Sequence, residues 1–336
     1  MFKPKYVYIE KDALDYSLGK KIHEYFKNTN SEIILLKGNR VTGLPTDSMQ
    51  NRHQHGKNSL VVAVRKSLKF QTCKPSAHYQ LPLVTGCMGN CEYCYLQTRF
   101  SKSPFTKLYV NIPEILAKAE DYIKEREDIT IFEGAAVSDP VPVEPYTGAL
   151  AKSIEFFANN KKARFTFVTK YNSVDSLLKL NHNNHTTIRF SLNIDSVIKK
   201  FEHRTPNLRL RLEAAHKIAK SGYALGFIIA PVMLEGNWQD DYLGLLNNIN
   251  NQFKNIKKPI VIEVISHRFT AKAKETILSL HPNSELPMSE EDRKFKFGQF
   301  GYGKYIYPKE KMQEMKQFFE NHIKNMGDKW RIKYII

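Results

Sequence analysis

The sequence predicts an α/β protein built on an open, partial barrel of six β/α units, a TIM-like (β/α)6 arrangement with small additions at each end. Two observations carry this. Short β-branched runs alternate with amphipathic segments from Leu60 to Ile265, and such alternation means parallel strands joined by crossover helices. The units are too few to close an eight-stranded barrel, which takes about 250 residues.

In chain order, Tyr6 to Ile9 and Ile33 to Leu36 read as strands around a helix near Asp12 to Phe26. Gly38 to Ser59 holds Gly, Pro, Asn and two His but no apolar period, which reads as a loop or linker. Further strands are expected at Leu60 to Val64, Ile129 to Ala135, Phe165 to Thr169, Ile188 to Leu192, Leu225 to Ala230 and Ile260 to Ile265. Helical patterns fall at Ile112 to Arg126, Leu150 to Ala158, Val174 to Leu180, Leu208 to Lys220 and Tyr242 to Phe253. Three regions follow: an N-terminal α/β extension over 1–75, the partial barrel over 76–265 and a C-terminal region over 266–336. The reactive face should lie where the strands end, because loops at the carboxyl ends of parallel strands gather ligand groups.

Composition adds a partner class. The chain of 336 residues has 51 Lys and Arg against 34 Asp and Glu, a net charge of +17. Excess cation on that scale suggests a polyanion, either a nucleic acid or an anionic membrane surface. Membrane attachment has little support: the start, Met-Phe-Lys-Pro-Lys-Tyr, lacks an apolar signal stretch, and no apolar run of roughly 18 residues occurs. A soluble cytoplasmic protein is expected, in a reducing compartment.

Three of the four cysteines sit together as Cys87, Cys91 and Cys94, in Thr-Gly-Cys-Met-Gly-Asn-Cys-Glu-Tyr-Cys-Tyr. Three thiolates so spaced can hold three corners of a [4Fe-4S] cube and leave its fourth iron open for another ligand. A zinc site is the plainer alternative, but structural zinc wants a second pair of ligands, and only a lone His78 or His55 could complete the set. An odd number of clustered thiols does not make a disulfide framework.

The spacing C-x3-C-x2-C, with Tyr93 before the third cysteine, resembles the signature of the radical S-adenosylmethionine (AdoMet) enzymes. That resemblance implies that AdoMet chelates the open iron and is cleaved to a 5′-deoxyadenosyl radical. More segments narrow it: Lys-Pro-Ser-Ala at 74–77, Thr-Gly-Cys-Met-Gly at 85–89, Cys-Tyr-Leu-Gln-Thr at 94–98, Phe-Val-Thr-Lys at 167–170, His-Arg-Phe-Thr at 267–270 and Gly-Lys-Tyr at 303–305. Together they resemble the spore photoproduct lyase family along essentially the whole chain. The implied activity is light-independent repair of 5-thyminyl-5,6-dihydrothymine in DNA, with an electron donor such as a flavodoxin or ferredoxin. In it, the radical takes hydrogen from C6 of the dihydrothymine, the bridging bond breaks, and a thiol returns hydrogen to the thymine radical.

The family's thiol donor stands in a Cys-Thr-Ser-Asp segment. Here the matching segment runs from Glu133 to Asp139 and places Ala136 and Val137 where the cysteine and threonine stand. The chain is an engineered knockout, has moved its donor, or is a paralogue with another substrate; the further change at Val137 speaks against a single designed substitution. Cys73 is the remaining thiol, fourteen residues before Cys87, and is expected to replace the donor; a buried inert cysteine is the alternative. The resemblance also carries cofactor contacts to Tyr93, Ser138, Lys170, Ser191 and Ala230, and a radical relay to Tyr93 and Tyr95, whose plainer role is packing against the cluster.

DNA contact is expected from 293–307, where cations, aromatics and glycines interleave. The same pattern suits an ordinary β-hairpin with core-facing rings. Gln299 and Phe300 replace the family's Arg-Tyr pair, removing one phosphate contact and one hydroxyl. His267 and Arg268 are candidates on this side, or simply a solvated strand end. The lesion is expected to be flipped from the stack, at a cost of a few kcal/mol. Two other readings stay open: a related radical enzyme acting on another lesion or nucleotide, and a basic DNA-binding iron–sulfur protein without catalysis.

Overall fold

The computed structural model describes residues 1–297 and 303–336. The chain forms two compact units, Met1–Gly89 with Phe100–Ile188, and Asn90–Arg99 with Arg189–Ile336.

The first unit opens with a five-stranded sheet in the order Glu32–Leu36, Tyr6–Glu10, Ser59–Ala63, Thr106–Tyr109, Val84–Thr85. All pairings are parallel except the last. Val7, Ile9, Leu60, Val61 and Val62 are fully buried, the continuous apolar run expected of parallel strands covered on both faces. The helix expected near Asp12 to Phe26 is broken into a 3-10 turn, Lys11–Asp15, and a helix, Ser17–Lys27. The break lets Gly19 approach the Ala13 carbonyl so closely that no side chain fits between them.

The stretch read as a linker holds a nine-residue helix, Met49–Lys57, started by the Ser48 hydroxyl, which accepts from the Asn51 N–H at 3.0 Å. It escapes pattern reading because its buried residues are His53, Gly56 and Lys57. Val174 to Leu180, expected as a helix, forms only the 3-10 turn Asp175–Leu177. One turn already buries both Val174 and Leu177.

The larger sheet has eight strands. In the first unit, Thr130–Glu133 lies between Ala163–Thr169 and Ala77–Gln80, parallel to both, and Thr72–Cys73 closes the edge antiparallel to Ala77–Gln80. The strand expected over Ile129 to Ala135 stops at Glu133. A turn follows, in which the Gly134 backbone lies against the Phe165 ring so closely that a Cβ would meet it at 2.7 Å.

Strand Thr186–Leu192 begins in the first unit and ends in the second. In the second unit Ala224–Val232, Ile260–Ser266 and Trp330–Ile335 run parallel. Five of the six strands expected from Leu60 onward lie in this sheet, but the first does not: Leu60 to Val64 joins the five-stranded sheet as Ser59–Ala63, Ala77–Gln80 takes its place here, and Thr72–Cys73 and Trp330–Ile335 add an edge each. The last was not expected: helix Lys309–Asn325 buries Met315, Phe319 and Ile323 and returns the chain to the sheet. Between strands Thr186–Leu192 and Ile260–Ser266, Arg189 and Glu263 form a buried ion pair at 3.1 Å. Burial works against the Glu263 charge, yet Arg189, Tyr334 and Lys333 hold its carboxyl below the usual range. Among the described residues no helix is long and apolar enough to cross a membrane.

Candidate active site

In the first unit the chain reaches the cysteine loop at Gly86, which has φ +75° and where a Cβ would strike the Phe105 carbonyl. Its N–H donates to the Val137 carbonyl at 3.0 Å, and Gly86 bridges to Ser138. Cys87 is thereby set beside the turn that follows strand Thr130–Glu133. Lys57 ties off the loop from below, its ammonium donating to the carbonyls of Cys87 at 2.7 Å and Gly89 at 2.8 Å. The Gly89 N–H points at Cys87 Sγ, 3.3 Å away. Gly86→Ala is expected to cost at least about 1–3 kcal/mol; the midpoint of denaturant unfolding checks this, and an unchanged midpoint would refute it.

Ser138 is buried, and its hydroxyl has no hydrogen-bond partner among the described residues. Next to it, Asp139 knits two strand ends together. Its carboxylate accepts from the Val141 N–H at 3.2 Å, the Thr169 hydroxyl at 2.9 Å and the Lys170 N–H at 2.9 Å. Burial raises the Asp139 carboxyl to about 6, against those hydrogen bonds. Lys170 is half-exposed at the end of strand Ala163–Thr169. Ala136 is half-buried in the same turn as Ser138. Cys73, half-buried and in no disulfide, stands on the edge strand. Its backbone is two strands from Thr130–Glu133, about 10 Å across the sheet. His55 stacks on Tyr6 at 4.1 Å and bonds the Tyr8 hydroxyl at 2.8 Å, while His78 Nδ1 accepts from the Ile131 N–H at 2.9 Å. Both histidines considered as a fourth zinc ligand are thus engaged in packing the first unit.

The second unit carries the rest of the loop. Cys91 is buried and Cys94 half-buried; neither is in a disulfide. The Cys91 carbonyl accepts from Gln97 Nε2 at 2.6 Å and from the Cys94 N–H at 3.1 Å. A short antiparallel pairing sets Cys91 opposite Glu202 and Asn90 opposite His203. The Tyr93 hydroxyl donates to Glu202. Burial first, then the Glu202 carboxylate, push its phenol well above the ordinary value. Arg211 neutralises Glu202 at 2.5 Å, both side chains 0% exposed. Its other donors reach the carbonyls of Pro206 at 2.8 Å and Ser191 at 3.1 Å and the Thr205 hydroxyl at 2.9 Å. Tyr95, two residues on, is exposed. Ser191 is buried and Ala230 half-buried near the carboxyl ends of their strands. Lys57, Asp139, Glu202 and Arg211 escape sequence reading because each is a lone polar residue whose partners lie far along the chain.

Two side-chain expectations change in this unit. His267 is no solvated strand end: it is buried, its carbonyl accepts from Arg293 at 3.0 Å, and burial lowers its imidazole to about 3, aided by Arg293. Arg268 beside it is exposed. The expected hairpin forms from Lys294–Phe297 and Gly303–Ile306, but Phe295 and Phe297 are exposed, Phe297 by 74%, and do not join a core. Gln299 and Phe300 lie outside the described residues.

Three cysteines outside any disulfide in a C-x3-C-x2-C loop, backbone carbonyls tied off around them, and a buried hydroxyl left for a ligand all suit an iron–sulfur cluster and AdoMet. On an open parallel α/β sheet, that set defines a radical AdoMet enzyme. The spore photoproduct lyase family model matches residues 2–336, and the chain belongs to that family. It is 54% identical over 331 residues to the spore photoproduct lyase of Clostridium acetobutylicum, covering 98% of each chain. It is 41% identical over 336 residues to that of Bacillus subtilis, covering 99% of this chain and 98% of the other. A solved spore photoproduct lyase variant, with one cysteine changed to alanine and one serine to cysteine, holds AdoMet and dinucleoside spore photoproduct. It matches with a TM-score of 0.96 at 41% identity, covering 100% of this chain and 99% of that one. A spore photoproduct lyase complexed with the dinucleoside spore photoproduct matches with the same TM-score at 40% identity and the same coverage. The curled, mixed α/β half-barrel of these structures is the fold of this chain.

Proposed function

We propose that this protein reverses 5-thyminyl-5,6-dihydrothymine in DNA to two thymines, using a [4Fe-4S] cluster and AdoMet, with its terminal hydrogen donor moved to Cys73. The observation that carries the activity is the three-thiol loop inside a chain matched end to end by spore photoproduct lyases, solved members of which hold AdoMet and the dinucleoside lesion. When bound, the cluster and AdoMet supply reductive cleavage of the sulfonium and, through it, hydrogen abstraction from the lesion.

The chain's own residues divide the remaining work. Cys87, Cys91 and Cys94 hold the cluster, and Tyr93, Ser138, Lys170, Ser191 and Ala230 contact AdoMet. The lone hydroxyl of Ser138 supports its part. Ala136 offers no hydrogen, so the donor is Cys73: its S–H bond breaks as a C–H bond forms on the thymine radical. Tyr93 and Tyr95 would then return hydrogen to the sulfur and pass the radical back to 5′-deoxyadenosine, whose C–H bond would supply the hydrogen they gave up. Burial keeps Tyr93 protonated, so it retains the O–H hydrogen that such a relay passes on. What supports Cys73 is its half-buried thiol, in no disulfide, on the strand beside Ala77–Gln80, whose other neighbour runs directly into the Ala136 turn.

On the DNA side, exposed Lys294 and Lys296 flank exposed Phe295 and Phe297 on the hairpin, and phosphate contact with ring stacking beside an extruded lesion follows. A flavodoxin or ferredoxin reduces the cluster, and the reducing cytoplasm is where the protein works. Cys73→Ala is expected to leave formation of 5′-deoxyadenosine intact while thymine recovery from the lesion collapses into radical adducts. Product analysis by mass spectrometry decides, and clean thymine recovery from the variant would discard the donor assignment while leaving the lyase reading standing.

A further inference from the structure

Within the second unit, beside the cluster loop, Glu92, His203 and His281 place three ligand atoms within 4.8 Å of one another. Glu92 lies in the sequence between two cluster cysteines and is buried. Its Oε1 meets His203 Nε2 at 2.7 Å, and Ser284 Oγ donates to its Oε2 at 2.5 Å. The hydroxyl thus holds the carboxylate from behind and leaves its other oxygen facing the two imidazoles, the supporting arrangement that ligating carboxylates have around metals. His203 stands in the short strand paired with Asn90–Cys91, and His281 caps the end of helix Ala271–Leu280, its N–H donating to the Ile277 carbonyl at 2.7 Å. Their rings sit 5.8 Å apart.

From this we infer a second metal site, distinct from the iron–sulfur cluster, in which Glu92, His203 and His281 bind one zinc-like divalent transition ion. Two imidazoles and one carboxylate are the donor set of three-ligand zinc sites that keep an open fourth position. With metal–ligand bonds of about 2.0–2.1 Å, donors in such a site lie roughly 3.3 Å apart. The ion therefore takes the place of the proton between Glu92 and His203 and asks only a small widening there, with an inward turn of His281. The His203 side chain is 41% exposed and gives an ion its way in. Bound, the ion pins the cluster loop both to the His203 strand and to the end of helix Ala271–Leu280, so its role is to stiffen the segment between Cys91 and Cys94.

The test uses anaerobic holoenzyme with its cluster in place, so that the three clustered thiols are already taken. Equilibrium dialysis against low zinc, read as zinc and iron per chain, is expected to give one zinc beyond an unchanged iron content. Zinc affinity should fall at least about tenfold in His203→Ala and in His281→Ala, since loss of a merely supporting group already costs 10–100-fold. Cys73→Ala should bind zinc as the parent does. Zinc should raise the parent's thermal midpoint and leave that of both histidine variants where it was. The inference is overturned if holoenzyme takes up no zinc, if zinc enters only as iron leaves, or if both histidine variants bind as the parent does. Should one variant fail to fold, the other carries the same comparison. Because the readout is metal content, the outcome is independent of whether the lesion is repaired.

Discussion

Cys91→Ala is expected to leave a folded chain that holds no intact cluster and forms no product. Cys91 is buried, and what holds its backbone is independent of its sulfur: the Gln97 and Cys94 bonds to its carbonyl and the pairing with Glu202. Removing the thiol therefore deletes a proposed cluster ligand and leaves the loop in place. Two thiolates cannot hold three corners of a cube, and a cluster so bound is lost or degraded. The same holds for Cys87 and Cys94. Iron and sulfide content after anaerobic reconstitution and 5′-deoxyadenosine formed with dithionite and AdoMet are the readings, and both should fall to background while circular dichroism stays at parent values. Full iron with undiminished nucleoside in any one of the three variants would remove the cluster from its proposed seat.

The largest effect on stability is expected from Arg211→Ala. Arg211 and Glu202 are wholly enclosed at 2.5 Å, and truncating one partner leaves the other charge buried without compensation, at a cost of about 3–5 kcal/mol. Here the consequence reaches the site, because Glu202 also accepts from Tyr93 and its strand pairs with Cys91. The variant should unfold at a clearly lower denaturant concentration and lose iron faster than the parent. Arg211→Ala and Glu202→Gln combined should cost less than the two single changes added together, since the double variant leaves no lone charge. A shift below about 1 kcal/mol for Arg211→Ala would show that water reaches the pair and that it does not anchor the loop.

Much of the fold was legible because parallel strands covered on both faces must be apolar along their length. Val7, Leu60 to Val62, Phe165, Phe190 and Ile262 announce themselves in that way, and each is fully buried. Where polar groups do the packing, the pattern fails. Helix Met49–Lys57 buries a histidine, a glycine and a lysine, which no hydrophobic period marks, yet its last residue supports the cysteine loop. Single turns such as Asp175–Leu177 mislead in the opposite sense, since two apolar residues three apart satisfy a helical pattern without continuing it. The hairpin reads correctly as paired strands, but alternation alone does not say whether a face is covered, and Phe297 stands in solvent.

By itself the sequence determined the thiol spacing, the cationic excess and five of the six strands expected from Leu60 onward, because each is a property of neighbouring residues or of composition; that Ala136 stands where a cysteine is expected came from the family resemblance. Only the tertiary structure decided that Lys57 and Glu202 grip the cysteine loop from distant segments, that Asp139 locks two strand ends, that His267 is buried and neutral, and that Glu92, His203 and His281 meet. Those depend on which remote groups share a low-dielectric space. Burial makes each polar group there find its partner at close range, and nothing in the local sequence names that partner.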